Sequence, residues 1–246
     1  MVTIENKIVA ITGAGRGIGR ATAIHLAKRG GRLVLGARSE AEIAAVAGEI
    51  EAAGGEAIFR ATDVTRRADL DTLVNLACER FGRLDVIVNN AGIGPLSRFD
   101  ALKVDGWEAM IDVNLKGALY GIAAALPAFS RQDSGHVINV VSTAGIKIVP
   151  TMGVYAATKN ALRTATEALR QESGPNLRVT EISPGFIDTT FADATIADPD
   201  IKAAIQKRKE ELAISPDAIA RAIAFAIEQP NDVEIGSIVV RPTAQD

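Results

Sequence analysis

Tyr155 and Lys159 lie four residues apart in VYAATKNALRTATEALR, a run rich in Ala, Leu and Thr that contains neither Gly nor Pro. Such a run predicts a helix, and at that spacing both side chains share one helical face. A phenol beside an ammonium is an acid/base device. An isolated tyrosine titrates near ~10, and a fixed positive charge nearby favours the phenolate and lowers that value. A phenol tuned toward the working pH is a better proton donor and acceptor. The same spacing also suits an ordinary amphipathic surface helix, so the weight of the pair depends on what surrounds it.

The elements that must position this pair alternate along the whole chain. KIVAI, residues 7–11, has the apolar continuity of a short buried strand, and TGAGRGIG, residues 12–19, leads into the helical run RATAIHLAKRG. Strand, glycine loop and helix together aim backbone N–H groups and a helix N-terminus at a phosphate. The strict G-x-G-x-x-G form is not met, because Ile18 and Arg20 stand where a third glycine belongs; the pattern is T-G-x-x-x-G-x-G, with Thr12, Gly13, Gly17 and Gly19. RLVLGAR, residues 32–38, is the second strand. Its end reads Gly36, Ala37, Arg38, Ser39, with no acid before Glu40. An Asp or Glu there would meet the ribose hydroxyls of NAD, whereas an arginine accommodates the 2′-phosphate of NADP. Arg38, with Arg16 on the glycine loop, favours NADP; both are otherwise ordinary solvated charges.

A helix over 40–53, stopped by Gly54-Gly55, precedes a third strand at 56–64. Asp63 at its carboxyl edge suits either a hydrogen bond to an adenine amino group or a cap on the helix starting near Arg66. LDVIVNNAGIG, residues 84–94, is a strand running into a polar end. Asn89 and Asn90 there need partners if buried, and so tie strand ends together or hold a ligand. A helical region over 106–131 contains Asn114. Strands follow at 136–142, ending in Ser142, and at 177–183. Residues 191–212 are polar and charged and read as an insertion over the site. A helix over 215–229, with a proline in its first turn, and a strand at 236–242 complete the pattern. Strand and helix alternation without linker or repeat predicts a single-domain α/β fold spanning residues 1–246, a doubly wound parallel sheet. Its substrate site must be built from loops at the carboxyl ends of the strands.

Composition narrows the classes. Of 246 residues, 27 are Lys or Arg and 30 are Asp or Glu, a net charge of −3 that offers no basic excess for nucleic acid or anionic membrane. The single cysteine, Cys78, forms no internal disulfide, and a reducing, cytoplasmic setting is expected. The longest uncharged run, residues 117–130, is short for a membrane span and contains Pro127. His25 and His136 stand apart from any cluster of ligands, which leaves a metal little support.

Taken in order, Thr12–Gly19, the NNAG run at 89–92, Asn114, Ser142, Tyr155, Lys159 and the PGFIDT run at 184–189 make the chain resemble the short-chain dehydrogenase/reductase family over essentially its whole length. The resemblance implies a Rossmann-type sheet of seven strands, a nicotinamide cofactor of the NADP(H) branch, and a homotetramer or homodimer. It implies catalytic roles for Asn114, Ser142, Tyr155 and Lys159. Ser142 would hold the substrate carbonyl oxygen, Tyr155 would exchange the proton, Lys159 would bind the nicotinamide ribose and lower the phenol's pKa, and Asn114 would hold a relay water through its helix backbone. It places Gly13, Arg16, Gly17, Ile18 and Gly19 around the pyrophosphate and adenosine ribose, and Asp63 and Val64 at the adenine. Asn89 belongs to the ribose region, with Ala91 and Gly92 beside it, and Pro184, Gly185, Ile187 and Thr189 to the nicotinamide end.

The expected activity is NADPH-dependent reduction of a ketone or aldehyde, reversible as alcohol oxidation. Imine or enoyl reduction, 3-hydroxy acid dehydrogenation and a non-catalytic NADP-binding role are the alternatives. Gly94, Pro95, Ala144, Val149, Thr151, Met152 and Phe186 are expected to line a pocket for an apolar carbonyl compound. No Arg or Lys is plainly placed to bind a substrate carboxylate, though Lys147 and Lys202 could move there.

Overall fold

A computed structural model describes residues 3–191, 196 and 198–245. Seven strands alternate with helices: β1 (Ile8–Thr12), α1 (Gly17–Ala27), β2 (Arg32–Ala37), α2 (Glu40–Ala52), β3 (Glu56–Ala61), α3 (Arg67–Phe81), β4 (Val86–Asn89), α4 (Val104–Met110), α5 (Gly117–Gln132), β5 (Gly135–Val140), α6 (Gly153–Glu172), β6 (Leu177–Pro184), α7 (Pro199–Leu212), α8 (Asp217–Ile227) and β7 (Ser237–Val240). The strands form one sheet in the order β3-β2-β1-β4-β5-β6-β7, and all six pairings are parallel. This is the doubly wound Rossmann-type sheet that the alternating pattern predicts.

The central strands are covered on both faces, which is why they read as unbroken apolar runs rather than alternating ones. All five residues of β1 and all four of β4 are buried. One face is closed by Leu26 of α1, Ile43 and Val46 of α2, and Ile219 and Ile223 of α8. The other is closed by Leu70 and Leu73 of α3 and by Ile122, Ala125 and Phe129 of α5. Each fully buried aliphatic side chain is worth about 1.5–3 kcal/mol relative to exposure, so this double covering fixes the sheet. Strand order reverses between β1 and β4, and the crevice outside their carboxyl ends is where an open α/β sheet takes a ligand.

The helical region expected over 106–131 is a continuous run from Val104 to Gln132. It is interrupted by a π-helical turn at Ile111–Lys116, in which Gly117 N–H reaches back to the carbonyl of Asp112. By length and mean hydropathy, 1.2, this run is apolar enough to cross a membrane, although its uncharged core at 117–130 reads as too short for that. Its apolar character has a different cause: Ala125, Ala128 and Phe129 are packed into the core beside α3.

Candidate active site

The glycine loop is shaped by backbone demands. Gly13 sits at φ 66° and Gly17 at φ 55°, conformations that disfavour other residues. Helix α1 then starts at Gly17 behind Arg16, whose side chain makes no capping hydrogen bond. The first N–H groups of α1 therefore open on the crevice as an anion-binding end. By contrast, α2 is capped by Ser39, whose hydroxyl accepts from Glu42 N–H at 3.3 Å. Thr12 and Asn90 lock β1 to β4 beneath the loop. Thr12 Oγ1 accepts from the N–H groups of Asn90 and Ala91 at 3.0 and 3.1 Å, and Asn90 Nδ2 donates to Thr12 O at 2.9 Å.

A cleft of about 420 Å³ runs from this loop to Tyr155. Of the expected dinucleotide residues, Gly13, Arg16, Gly17, Ile18, Arg38, Asp63, Val64, Ala91, Gly92, Tyr155, Lys159, Pro184, Gly185, Ile187 and Thr189 line it. Two do not. Asn89 is buried in β4, its amide donating to Asn139 Oδ1 at 2.9 Å; Asn90, one residue on, faces the cleft instead. Gly19 lies beneath the loop, where a Cβ would stand 2.2 Å from Gly13 O. It sets the approach of α1 to the loop and is not among the residues lining the cleft. Asp63 uses its side chain to accept from Thr65 N–H and Oγ1 at 3.0 and 2.8 Å. It closes a turn ahead of α3 and does not cap that helix, whose N-cap is Arg66.

The acid/base end is built from β5, α6 and the π turn. Ser142 follows β5, and its Oγ accepts from Ala144 N–H at 3.1 Å. The Ser142 hydroxyl lies close enough to the Tyr155 phenol to favour its ionised form. Lys159 is buried, its Nζ donating to Val140 O at 2.9 Å and standing 5.9 Å from the Tyr155 ring centroid. Asn114 is buried in the π turn and does not line the cleft. Its amide pairs with both backbone groups of Ile93, at 2.8 and 2.9 Å, and with Thr158 Oγ1 at 3.2 Å. It thereby ties the cleft floor to α6, while the π turn loosens the local carbonyl ladder at a functional position.

The electrostatics differ from the expectation drawn from spacing. Although Tyr155 keeps some surface toward the cleft, its hydroxyl sits deep. Loss of water pushes the phenol up to about 12, and the nearby Ser142 hydroxyl only partly opposes that shift. Burial likewise brings Lys159 down to about 8. Desolvation disfavours both charged forms and is the leading cause at each. The phenol therefore holds its proton at neutral pH, ready to donate it.

The depressed Lys159 has a consequence for stability. Between about 8 and its ordinary 10.5, the unfolded chain holds a proton on this residue that the folded chain has released. Folding thus strengthens as pH rises through that window. Lys159→Met removes the buried charge and its pH dependence. Its stability relative to wild type is expected to decline by on the order of 3 kcal/mol as pH rises from 7 to 10, measured by urea unfolding; a constant difference would contradict the depressed pKa.

Beyond Tyr155 the cleft is apolar. Ala144, Met152 and Phe186 line it as expected, but Gly94, Pro95, Val149 and Thr151 do not. Leu96, Phe191, Ile196 and Ile205 take their place, and the Phe191 ring lies 5.7 Å from that of Tyr155. Part of the expected insertion, residues 192–195 and 197, lies outside the described residues, but α7 contributes Ile205 and Lys209. Lys147 and Lys202 are not in the lining; Lys209 is, pairing with Asp188 at 3.2 Å. Glu42 also lines the cleft, as Arg16 and Arg38 do. Sequence reasoning missed both Lys209 and Glu42, since each lies on a helix whose pitch alone gives no sign of the cleft.

A family model described as short chain dehydrogenase matches residues 7–200. An uncharacterized oxidoreductase of Listeria monocytogenes is 48% identical over 247 residues, covering 99% of each chain. Among solved structures, an alcohol dehydrogenase from the archaeon Thermococcus sibiricus, complexed with 5-hydroxy-NADP, superposes with a TM-score of 0.87 at 33% identity, covering 98% of this chain and 99% of that one. A short chain dehydrogenase/reductase from Burkholderia phymatum in complex with NAD gives a TM-score of 0.90 at 28% identity, covering 97% and 90%. The chain therefore belongs to the short-chain dehydrogenase family of oxidoreductases.

Proposed function

We propose that the protein is an NADP(H)-dependent reductase of ketones or aldehydes, running in reverse as an alcohol dehydrogenase. The observation that carries this reading is the gathering of Ser142, Tyr155 and Lys159 in the lining of one cleft that also holds the glycine loop, with the phenol kept protonated by burial. The open N-terminus of α1 and Arg16 suit a diphosphate, and Arg38 suits a 2′-phosphate. Pro184–Thr189 and Lys159 suit the nicotinamide riboside.

A bound reduced nicotinamide supplies the hydride. The chain does the rest. Ser142 and Tyr155 direct two hydroxyls at one point, where a carbonyl oxygen gains negative charge as its carbon is attacked; donors fixed in advance stabilise that charge without reorganisation. Tyr155 passes its proton to the oxygen. Lys159, mostly an ammonium at neutral pH despite its depressed value of about 8, favours the phenolate left behind. Leu96, Met152, Phe186 and Phe191 exclude water from the transfer.

Lys209 supports a second reading, dehydrogenation of a 3-hydroxy acid, because it places a cation in the lining of the substrate end. Oxidation and reduction rates with NADPH, NADH and their oxidised forms, against ketones, aldehydes, β-keto esters and 3-hydroxy acids, test both. NADPH turnover of neutral carbonyls supports the first; activity confined to carboxylates supports the second; no turnover by any of them defeats both.

Glu42 brings a carboxylate to the region where Arg38 favours a phosphate, so the preference for NADPH rests on a small balance of charges. Arg38→Asp is expected to shift the NADPH/NADH ratio of kcat/KM toward NADH by roughly a hundredfold, through loss of a charge-assisted bond and gain of a repulsion. Unchanged Michaelis constants for both cofactors would defeat the assignment. The proposal extends to a dimer or tetramer: Ile111 and Leu119 on the α4–α5 run are 42% and 40% exposed, and Ile148 is 76% exposed. Sedimentation at micromolar concentration checks it.

A further inference from the structure

Thr143 and Phe186 both line the cleft, each just beyond the end of one of two neighbouring strands. Thr143 follows Ser142 at the end of β5, and Phe186 follows Pro184-Gly185 at the end of β6. The side chain of Gln245, 59 residues beyond Phe186, bridges them. Its Oε1 accepts from Phe186 N–H at 2.9 Å, and its Nε2 donates to Thr143 Oγ1 at 3.3 Å.

The surroundings are made for this bridge. The segment after β7 is held to β6 by Gly185 N–H donating to the carbonyl of Val240 at 2.8 Å. Pro242 is buried, and its carbonyl accepts from Gln245 N–H at 3.0 Å, a turn that sends the side chain back beneath the loop. At Gly185 a Cβ would stand 2.2 Å from Gln245 Oε1, so the missing side chain there is the space the amide fills. The Phe186 carbonyl accepts from Ile214 N–H at 3.2 Å. With Gln245 on its N–H, both backbone groups of Phe186 are tied, each to a different part of the chain.

We infer that Gln245 is a positioning residue for hydride transfer: it fixes the distance between the Ser142 side of the cleft and the Phe186–Ile187 wall. It does not line the cleft and touches no reacting atom. It acts through Thr143, which shares a peptide bond with the hydroxyl-bearing Ser142, and through Phe186, whose backbone leads directly into Ile187. A slip of about 1 Å between a proton donor and the face from which hydride arrives can cost up to a hundredfold in rate. The inference rests on the reductase reading above.

The experiment compares wild type with Gln245→Ala, Thr143→Val, the double variant and Gln245→Glu. It reads kcat, KM for the best carbonyl, and the dissociation constant of NADPH. Gln245→Ala and Thr143→Val are each expected to lower kcat roughly tenfold with KM nearly unchanged. The double variant is expected to fall no further than the worse single one, because both remove the same bridge. Gln245→Glu keeps an acceptor for Phe186 N–H and for the Thr143 hydroxyl, and is expected to stay within threefold of wild type. A Gln245→Ala protein with wild-type kcat overturns the inference whatever its melting temperature, as does a double variant whose loss is the product of the two single losses. If Gln245→Ala does not fold, a wild-type kcat in Thr143→Val overturns it equally. Absence of carbonyl turnover in the unaltered protein would sink the reductase reading instead. The bridge would then be decided by NADPH affinity, expected to weaken roughly fivefold in Gln245→Ala; an unchanged constant would overturn it.

Discussion

Tyr155→Phe is expected to lower kcat for carbonyl reduction about a thousandfold while leaving NADPH affinity within about threefold. The variant removes only the hydroxyl. The ring keeps its packing against Phe191 and its place over Lys159, so the cleft keeps its shape. What disappears is the proton donor and one of two hydrogen bonds to the developing oxyanion, contributions of about 10²–10⁴-fold for proton transfer. Single-turnover rates at saturating NADPH measure it. A loss under tenfold would mean that another group delivers the proton, and Ser142 would be the first to examine. The pH profile adds a second check. Because burial holds the phenol at about 12, no decline from loss of its proton is expected between pH 6 and 9.

Gly19→Ala is the second large effect, and it falls on binding and stability rather than on chemistry. The added Cβ would stand 2.2 Å from Gly13 O and 2.6 Å from Asn90 Nδ2. The first contact is backbone and cannot swing aside. Relief requires α1 to move away from the loop, which breaks the Asn90 bridge to Thr12 and Gly13. Overpacking of this kind costs about 1–3 kcal/mol, and the displaced helix end is the one that suits a diphosphate. We expect the melting temperature to fall and NADPH affinity to weaken by roughly thirtyfold or more. Gly48→Ala is the matched control: it lies in α2 with nothing within 4 Å of its added Cβ, and helix propensity makes it stabilising by about 1 kcal/mol. Thermal melts and NADPH titration of both variants decide the matter. An unaffected Gly19→Ala would show that the loop has more room than this packing allows.

The sheet was legible because parallel strands buried on both faces are written as apolar runs, and β1, β2 and β5 each lie within a residue or two of their predicted ends. The glycine loop and Ser142 were legible for a related reason, since each stands where such a run stops, whereas Tyr155 and Lys159 were legible from their four-residue spacing on a helix. The asparagine pair was not. Neighbouring residues on a strand face opposite ways, so one of Asn89 and Asn90 had to point away from the cleft, and the letters do not say which. The Tyr155 ionisation was misjudged because spacing shows a shared helical face but not depth; the hydroxyl and the ammonium are both dry, and dryness dominates. The outer pocket was half read, since Leu96, Phe191 and Ile205 come from segments far apart in sequence. Gln245 left no signal at all, because its meaning depends on a partner 59 residues away.

The π turn at Ile111–Lys116 takes up one residue more than an α turn within a single i→i−5 loop. Each residue of an α-helix advances it by about 100°, so a surplus residue absorbed locally leaves the two halves facing as an unbroken helix one residue shorter would. Met110 is buried on the first half, and Ala125 and Phe129 are buried on the second; deleting one position between Met110 and Gly117 would keep all three facing inward. What such a deletion would displace is Asn114, with its ties to Ile93 and Thr158. Descendants of this chain that lose a codon here would therefore keep the fold and give up the tie beneath the cleft.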